Sequence, residues 1–296
     1  MTDRTWIGGS SNNSVYAAVN WSAAGVPAPG DQLFLLQGTA NMKGGDLSGD
    51  AITMGATNRL PPVTPAPAFL SPVLNLSDGA TVKVAAGGDF FTPTDNRSII
   101  NVAGACNVDI NSDTSTHAAG RSDFTVNITR GVMTGSVNLF NGNGVIDGPG
   151  NFKNVNSSLV IGSMVIKSDM IGTGSTSLTF MHLELDDRVS VGQTFTLNPA
   201  SSLTIDHPGQ FHGVVVGTTQ GSAPASEIDL AGIKADSYSM TNDLLTLYAG
   251  DKVVDSLVLH ATPAQIFVGQ GSSGVVIEFN GQSTGVSGLP LHTTSP

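Results

Sequence analysis

Short apolar triplets, each interrupted by Gly, Asn, Ser or Thr, recur along the chain and limit its possible folds more than any other feature. Examples are VDI at Val108, VNI at Val126, FTL at Phe195 and LTL at Leu245. No apolar pattern at i, i+3, i+4 and i+7 persists through a third helical turn. The pattern therefore predicts an all-β protein in which residues such as Val126, Phe195 and Leu245 point into the core.

The spacing of these triplets favours one kind of β fold. From Val108 to Val275 the triplets follow one another at a mean interval of about 17 residues. An antiparallel sandwich gives a turn signal every 8 to 12 residues or so, whereas one coil of a parallel β-helix contains two or three strands. Triplets at Leu183 and Leu203 would form a second face of each coil. We therefore expect a right-handed parallel β-helix or a related β-solenoid, with a Greek-key or jelly-roll fold as the alternative.

A proline-rich segment divides the chain. Residues Leu60 to Pro72 read LPPVTPAPAFLSP, with five prolines in thirteen residues, and cannot form a central strand. The sequence predicts an N-terminal β capping segment at 1–59, a linker at 60–72, a β-solenoid at 73–285 and a tail at 286–296. The tail sequence GLPLHTTSP is too rich in Pro and Thr to be expected to pack. Within the solenoid, Asn side chains at successive corners would form hydrogen-bonded ladders.

Charge and cysteine content exclude several classes of function. The chain has 23 acidic and 12 basic residues, a net charge of −11, which argues against binding to nucleic acid. No apolar run approaches the roughly 20 residues of a membrane span, so no membrane insertion is expected. The start, MTDRTWIGGS, does not predict a Sec signal peptide. The single cysteine, Cys106, lies in an apolar strand-like run and is predicted to be a buried, inert thiol.

Three short motifs follow one another near the N-terminus. They are TWIGG at Thr5 to Gly9, NWS at Asn20 to Ser22 and GVPAPGD at Gly25 to Asp31. In order and spacing they resemble the start of bacterial autotransporter-like passenger and adhesin β-helices. A second segment, Ser226 to Leu259, is similar to a repeat of large bacterial surface proteins. The resemblance implies N-terminal coils that cover the open end of a β-helix, and a location on an extracellular surface.

Trp6 and Trp21, the only two tryptophans, lie within these motifs. They could be platforms on which sugar rings stack, or they could pack as a cap over an otherwise exposed sheet edge. Packing is the favoured interpretation because Trp is highly buried on average.

An acidic cluster is the best candidate for chemistry. Glu184, Asp186 and Asp187, in LELDDRVS, could bind Ca²⁺ or flank a sugar. A solvated turn is the favoured interpretation, because adjacent aspartates on a strand point to opposite faces.

A histidine-containing segment, DHPGQFHG, places Asp206, His207 and His212 close together in sequence. These residues could be an acid/base pair or metal ligands, but an exposed Pro-Gly turn is favoured. The sequence thus predicts no catalytic residues, no metal site and no cofactor.

These observations predict a non-enzymatic structural or adhesive protein. A virion surface component, such as a head-decoration protein, fibre or tail spike, is the first hypothesis. A bacterial cell-surface adhesin exported by a leaderless route is the alternative, and a polysaccharide lyase or hydrolase is the third. The expected partners are identical copies in a homotrimer, other virion or surface proteins, and host polysaccharide.

Overall fold

A computed structural model describes residues 3–8, 13–22, 25–28, 31–35, 39–54, 72–86, 98–112, 122–218, 224–261, 266–279 and 286–293. These ranges contain 22 strands and two short 3₁₀ helices, with no α-helix. Strand pairing is mostly parallel, which is consistent with the β-solenoid class. The chain divides into two compact units, Met1–Lys153 and Asn154–Pro296. Residues 60–71, which make up nearly all of the predicted linker, lie outside the described residues.

The first unit contains nine complete strands: β1 (Asp3–Thr5), β2 (Gln32–Leu35), β3 (Thr39–Lys43), β4 (Asp46–Met54), β5 (Val73–Ser77), β6 (Thr81–Ala86), β7 (Ser98–Ser112), β8 (Ser122–Gly135) and β9 (Val137–Asp147). A 3₁₀ helix spans Ala18–Asn20, and β10 (Asn151–Asn154) crosses the unit boundary. The second unit contains twelve further strands: β11 (Asn156–Ile166), β12 (Thr173–Leu185), β13 (Gly192–Leu197), β14 (Ser202–Ile205), β15 (Val214–Gly217), β16 (Ser226–Ala231), β17 (Ser237–Thr241), β18 (Leu244–Ala249), β19 (Lys252–His260), β20 (Ile266–Gln270), β21 (Gly274–Phe279) and β22 (Ser287–Gly288), with a 3₁₀ helix at Pro208–Gln210.

Strands of the first unit stack in parallel as two columns. The first column contains β3, β5, the first parts of β7 and β8, and the end of β9. The second contains β1, β2, β4, β6 and the later part of β7. Register partners along the first column form an inward apolar stack of Ala40, Leu74, Ile100, Val126 and Ile146, all buried. Each strand therefore adds one side chain to the same continuous core.

In the same column, asparagines occupy the outward-facing position next to these inward residues. Asn41, Asn75, Asn101 and Asn127, the Asn ladder, are successive register partners in the first column. Asn75 Nδ2 donates to Asn41 Oδ1 at 2.7 Å, Asn101 Nδ2 to Asn75 Oδ1 at 2.7 Å, and Asn127 Nδ2 to Asn101 Oδ1 at 2.8 Å. The expected hydrogen-bonded Asn ladder is present, although it lies on strands and not at corners.

Two long strands bend at glycines. Gly104 in β7 and Gly131 in β8 are register partners, with φ of +109° and +81°. A Cβ atom on Gly131 would lie 2.5 Å from the carbonyl oxygen of Gly104. Both the left-handed backbone and the close approach of the two chains require glycine at Gly131.

The second unit also begins with two parallel columns. One contains the first halves of β11 and β12, then β13, β15 and the end of β19. The other contains the second halves of β11 and β12, then β14 and β16. Leu183, Leu203 and Ile228 are buried register partners in this second column. The triplets at Leu183 and Leu203 thus form a separate face, as the sequence predicts.

The coil length differs from the predicted mean of about 17 residues. Stacked side chains lie 26 residues apart through most of the Asn ladder, with 34 between its first two members. They lie 20 residues apart at His182 and Ser202. The predicted spacing is wrong because it combined triplets from different columns. Val108 pairs in the second column of its unit, whereas Val126 pairs in the first.

Pairing becomes antiparallel towards the C-terminus. β17 pairs with β18, β18 with β19, and β16 with β21, all antiparallel. The expectation that the triplets at Leu245 and Val275 stack as parallel coils is therefore wrong. Asn242 and Asp243, with φ of +48° and +63°, form the two-residue turn that reverses the chain between β17 and β18.

Side-chain burial agrees with the predicted inward positions. Val126, Phe195 and Leu245 are fully buried. Cys106 is also buried, and its burial raises the pKa of the thiol, as expected for an inert cysteine.

The tail packs, contrary to expectation, as far as it is described. β22 pairs with β20, and the Leu289 N–H donates to Val268 O at 2.8 Å. Pro290 O accepts from Tyr238 N–H at 3.1 Å. The proline content does not prevent this packing, because proline lacks only the N–H group and keeps its carbonyl acceptor.

Candidate functional site

The outer face of the second column in the second unit carries a row of titratable side chains. Successive strands place His182, Ser202, Glu227 and Glu278 in one register row, and Glu184, Thr204 and Asp229 in the next row. We call these seven residues the acidic face. Buried side chains such as Leu183, Leu203 and Ile228 alternate with six of the seven residues, which therefore point to the outer face of the sheet. Glu278 shares their register row but is itself buried.

Hydrogen bonds hold part of the acidic face in place. His182 Nδ1 and Ser202 Oγ are hydrogen-bonded at 2.8 Å across β12 and β14. Ser273 Oγ donates to Asp229 Oδ2 at 2.7 Å. A neighbouring strand therefore orients the imidazole, and the connection between β20 and β21 orients the Asp229 carboxylate.

Glu227 and Glu278 lie directly opposite each other in the antiparallel pair β16–β21. Glu278 is buried, whereas Glu227 is exposed as a residue but keeps its carboxyl close to the protein. This partial burial raises the pKa of Glu227, and the charges of Glu278 and Asp229 raise it further, against an opposing effect of His182. The folded chain therefore favours the protonated form of Glu227.

A second carboxyl is perturbed beside the acidic face. Burial raises the pKa of Asp206, and the charge of Asp186 adds to this effect. Asp186 follows β12 and Asp206 follows β14, two strands that are neighbours in the column. The structure thus brings Asp186 close to Asp206, a residue that the sequence placed in a different motif.

The three sequence-predicted acidic residues separate in the structure. Glu184 belongs to the acidic face, and Asp186 lies at the strand end near Asp206. Asp187 Oδ1 accepts from the backbone N–H of Arg188 at 2.9 Å, in the turn after β12. Arg188 Nη2 pairs with Asp169 Oδ2 at 2.6 Å. Asp187 thus stabilises a local turn.

Sequence reasoning missed the other six members of the acidic face, which are His182, Ser202, Thr204, Glu227, Asp229 and Glu278. One signal for the first members was available, because His182 and Ser202, Glu184 and Thr204, and Asp186 and Asp206 are each 20 residues apart. The 20-residue interval can be recognised as a signal only once the coil length of this unit is known. Glu278 could not be found in this way, because its strand, β21, pairs antiparallel to β16. A constant interval along the sequence relates only parallel coils.

The histidines of DHPGQFHG do not join the acidic face. His207 and His212 are both exposed, on either side of the 3₁₀ helix at Pro208–Gln210. In the described part of the chain, no three His, Cys, Asp or Glu side chains are arranged to hold a metal ion.

The two tryptophans pack against each other near the N-terminus. Their ring centroids are 5.2 Å apart in an edge-to-face arrangement, and the residues are only 5% and 3% exposed. Trp21 Nε1 donates to Val15 O at 2.8 Å. This arrangement leaves little indole surface on which a sugar could stack.

The N-terminal motifs are joined by further contacts. Trp6, directly after β1, forms an antiparallel bridge with Trp21, and the Ser22 N–H donates to Thr5 O of β1 at 2.8 Å. Arg4 Nε forms a buried ion pair with Asp31 Oδ2 at 2.5 Å, which ties GVPAPGD to β1. Described residues of all three motifs thus lie together around β1.

No protein-family profile, curated protein or solved structure matches this chain. Within the described ranges, no helix has the length and apolar character that crossing a membrane requires. The geometry of the molecule is therefore the basis for any functional conclusion.

Proposed function

We propose that this chain is a right-handed parallel β-helix that works as a non-enzymatic structural and adhesive protein on an extracellular surface. The first form of this proposal is a virion surface component, such as a head-decoration protein, fibre or tail spike. A bacterial cell-surface adhesin is the alternative. The proposed partners are identical copies, other virion or surface proteins, and host polysaccharide.

The acidic face is the observation that carries the proposal. Its side chains project from neighbouring strands, which are spaced about 4.8 Å apart, so one extended ligand could contact several of them in succession. Carboxylates, two hydroxyls and an imidazole are groups that hydrogen-bond to sugar hydroxyls. Phe180, two residues before His182 in β12, is 55% exposed and offers an apolar surface to a ligand.

Charge selects the class of glycan. Three carboxyl groups of the acidic face, those of Glu184, Glu227 and Asp229, lie outside the core and repel the carboxylates of uronic acids and sialic acids. The proposed ligand is therefore a neutral or amino-sugar-containing polysaccharide.

Retention on immobilised polysaccharides tests this adhesive function. The wild-type chain is expected to be retained by neutral or amino-sugar polymers and not by polyuronates. A Glu227→Gln/Asp229→Asn double variant is expected to lose most of this retention. Asp251→Asn, an exposed carboxylate in a turn outside the acidic face, is the matched control and should behave like the wild type. Equal retention of the double variant would contradict the assignment of the acidic face.

The biological setting is tested separately. Mass spectrometry of purified virus particles and of bacterial surface fractions is expected to find this chain in stoichiometric amounts on particles. Detection only on cell surfaces would favour the adhesin alternative.

One observation favours polysaccharide cleavage as a second candidate. Two carboxyl groups with different environments, here the buried Glu278 and the exposed Glu227 with its raised pKa, form the kind of pair that acid/base catalysis uses. Release of new reducing ends or unsaturated ends from a retained polysaccharide, lost in Glu227→Gln, would support a hydrolase or lyase. Binding without any such release supports adhesion.

A further inference from the structure

The last described residues run along the edges of two antiparallel sheets in the second unit. We call residues 286–292 the C-terminal strap. β22 pairs with β20 on the side away from β21. Further along, Tyr238 N–H donates to Pro290 O at 3.1 Å and His292 N–H donates to Tyr238 O at 2.7 Å, on the side of β17 away from β18. The strap therefore supplies partners to two strand edges that would otherwise be open.

Side chains make this fit specific. A Cβ atom on Gly269 would lie 2.6 Å from Val286 Cγ2, so this glycine leaves the space that Val286 fills. Likewise, a Cβ atom on Gly288 would lie 2.9 Å from the Phe267 ring. A different sequence would not fit the edge of β20 in the same way.

The far end of the strap is fixed by an aromatic contact. The His292 ring stacks on the Tyr248 ring at 3.9 Å, with an interplanar angle of 6°. His292 Nδ1 lies 3.3 Å from Ser237 Oγ, which donates in turn to Asp236 Oδ1 at 3.0 Å. These groups belong to β17, β18 and the residue before β17, so they recognise the strap on the second sheet.

The strap nevertheless buries little of its own surface. None of its residues is buried, and Leu291 is 64% exposed. Segments that are held mainly by main-chain hydrogen bonds at the surface are among those that open first. Opening would expose the edges of β17 and β20 as templates for another strand.

We propose that these two edges form a strand-addition site in which the C-terminal strap of a second copy of the chain binds in place of the chain's own. Each contact that the strap makes within its chain is equally available from an identical copy. Successive exchange around a closed ring of copies would join them without any additional interface. This inference deepens the self-association named in the proposed function and rests on it.

Cross-linking of single-cysteine variants tests the exchange. Tyr238 and Leu291 are partners in an isolated parallel bridge, so cysteines at these two positions are close enough for a disulfide. A Tyr238→Cys chain is mixed with a Leu291→Cys chain and oxidised with diamide. The native Cys106 is buried and does not compete. Unchanged circular dichroism and thermal melts show that each variant folds.

The expected result is a disulfide-linked heterodimer on a non-reducing gel. Its yield should be about tenfold or more above that from Leu291→Cys mixed with Val191→Cys, because bound partners have a high effective concentration. Val191 is 77% exposed and reports random collision.

A heterodimer yield no higher than this control would overturn the exchange. In that case the Tyr238→Cys/Leu291→Cys double variant is expected to close its disulfide within one chain. Sedimentation of the same samples distinguishes the two proposals. Oligomers that form without cross-links would contradict strap exchange but leave self-association standing, whereas monomers without cross-links would contradict both.

Discussion

At the scale of single residues, the Asn ladder provides the clearest measure of side-chain hydrogen bonding between coils. Asn101→Ala removes two hydrogen bonds, the one that Asn101 donates to Asn75 and the one that it accepts from Asn127. Asn75 Oδ1 and Asn127 Nδ2 both lose their partner in the ladder. We expect a loss of about 2 kcal/mol in the free energy of unfolding, measured by urea denaturation. Asn138→Ala removes a single exposed bond to Asn111 and should cost about 0.5 kcal/mol. Equal losses would show that the ladder adds nothing beyond one surface bond.

Two exposed apolar residues have a strained backbone. Ile161 and Phe180 have φ of +59° and +50°, and are 44% and 55% exposed. A left-handed conformation costs a β-branched residue about 1 kcal/mol or more, whereas Asn tolerates it. Ile161→Asn is therefore expected to raise the free energy of unfolding by about 0.5–1 kcal/mol. Val191→Asn, at an exposed position without a positive φ, should leave it unchanged, and a loss of stability in Ile161→Asn would contradict this explanation.

The raised pKa of Glu227 makes a prediction about pH. Because the folded chain disfavours the ionised carboxylate, this group lowers stability as pH rises through its raised pKa, and has no effect below its unfolded value of about 4.5. Glu227→Gln should therefore raise Tm by about 1 °C at pH 7 and leave it unchanged near pH 3. Calorimetry at the two pH values measures this difference. A gain in Tm together with lost polysaccharide retention would indicate that the acidic face trades stability for binding.

At the scale of secondary-structure elements, the bends of β7 and β8 depend on glycine. Gly131→Ala combines a left-handed backbone with a clash against Gly104 O, and is expected to cost at least about 2 kcal/mol in chemical denaturation. Gly79→Ala is the matched control, because Gly79 has φ of +85° but no atom within 4 Å of its added Cβ. Gly79→Ala should cost only about 1 kcal/mol, because it strains the left-handed backbone without causing a clash. Similar costs would mean that the two chains do not approach closely at the bend.

The inward face of each element could be predicted from sequence, and its pairing could not. Alternation of apolar residues determines which side chains point to the core, so Val126 and Phe195 were predicted from local pattern alone. Parallel and antiparallel partners require knowledge of distant segments. The turn at Asn242 and Asp243 decides the direction of β18, and its Asn-Asp sequence is a weaker signal for such a turn than Asn-Gly.

The acidic face was predictable only in part, for a related reason. Glu184 was identified because acidic residues are adjacent in its sequence. Of the other members, His182 shares β12 with Glu184, and the rest come from β14, β16 and β21. They meet only after the coil length and the antiparallel return are established. Side chains that meet through folding across strands leave no local signature.

At the scale of the whole molecule, we expect the chain to form a homotrimer with residues 60–72 at or near the interface. Copies with a net charge of −11 repel one another, and salt screens this repulsion over about 10 Å at 0.1 M. Analytical ultracentrifugation should therefore show a trimer whose apparent association strengthens between 20 and about 300 mM salt. A species that remains monomeric at high protein concentration and at every salt concentration would contradict this expectation.

The unequal coils of the first unit suggest a use in protein engineering. The Asn ladder continues without interruption although 34 residues separate its first two members and 26 separate the next two. The stacked faces thus tolerate different lengths of chain between them, since longer connections add little closure entropy. A foreign peptide epitope placed between β7 and β8, away from the segment expected at the trimer interface, should be carried without disturbing either column. The trimer would then be a scaffold for multivalent antigen display.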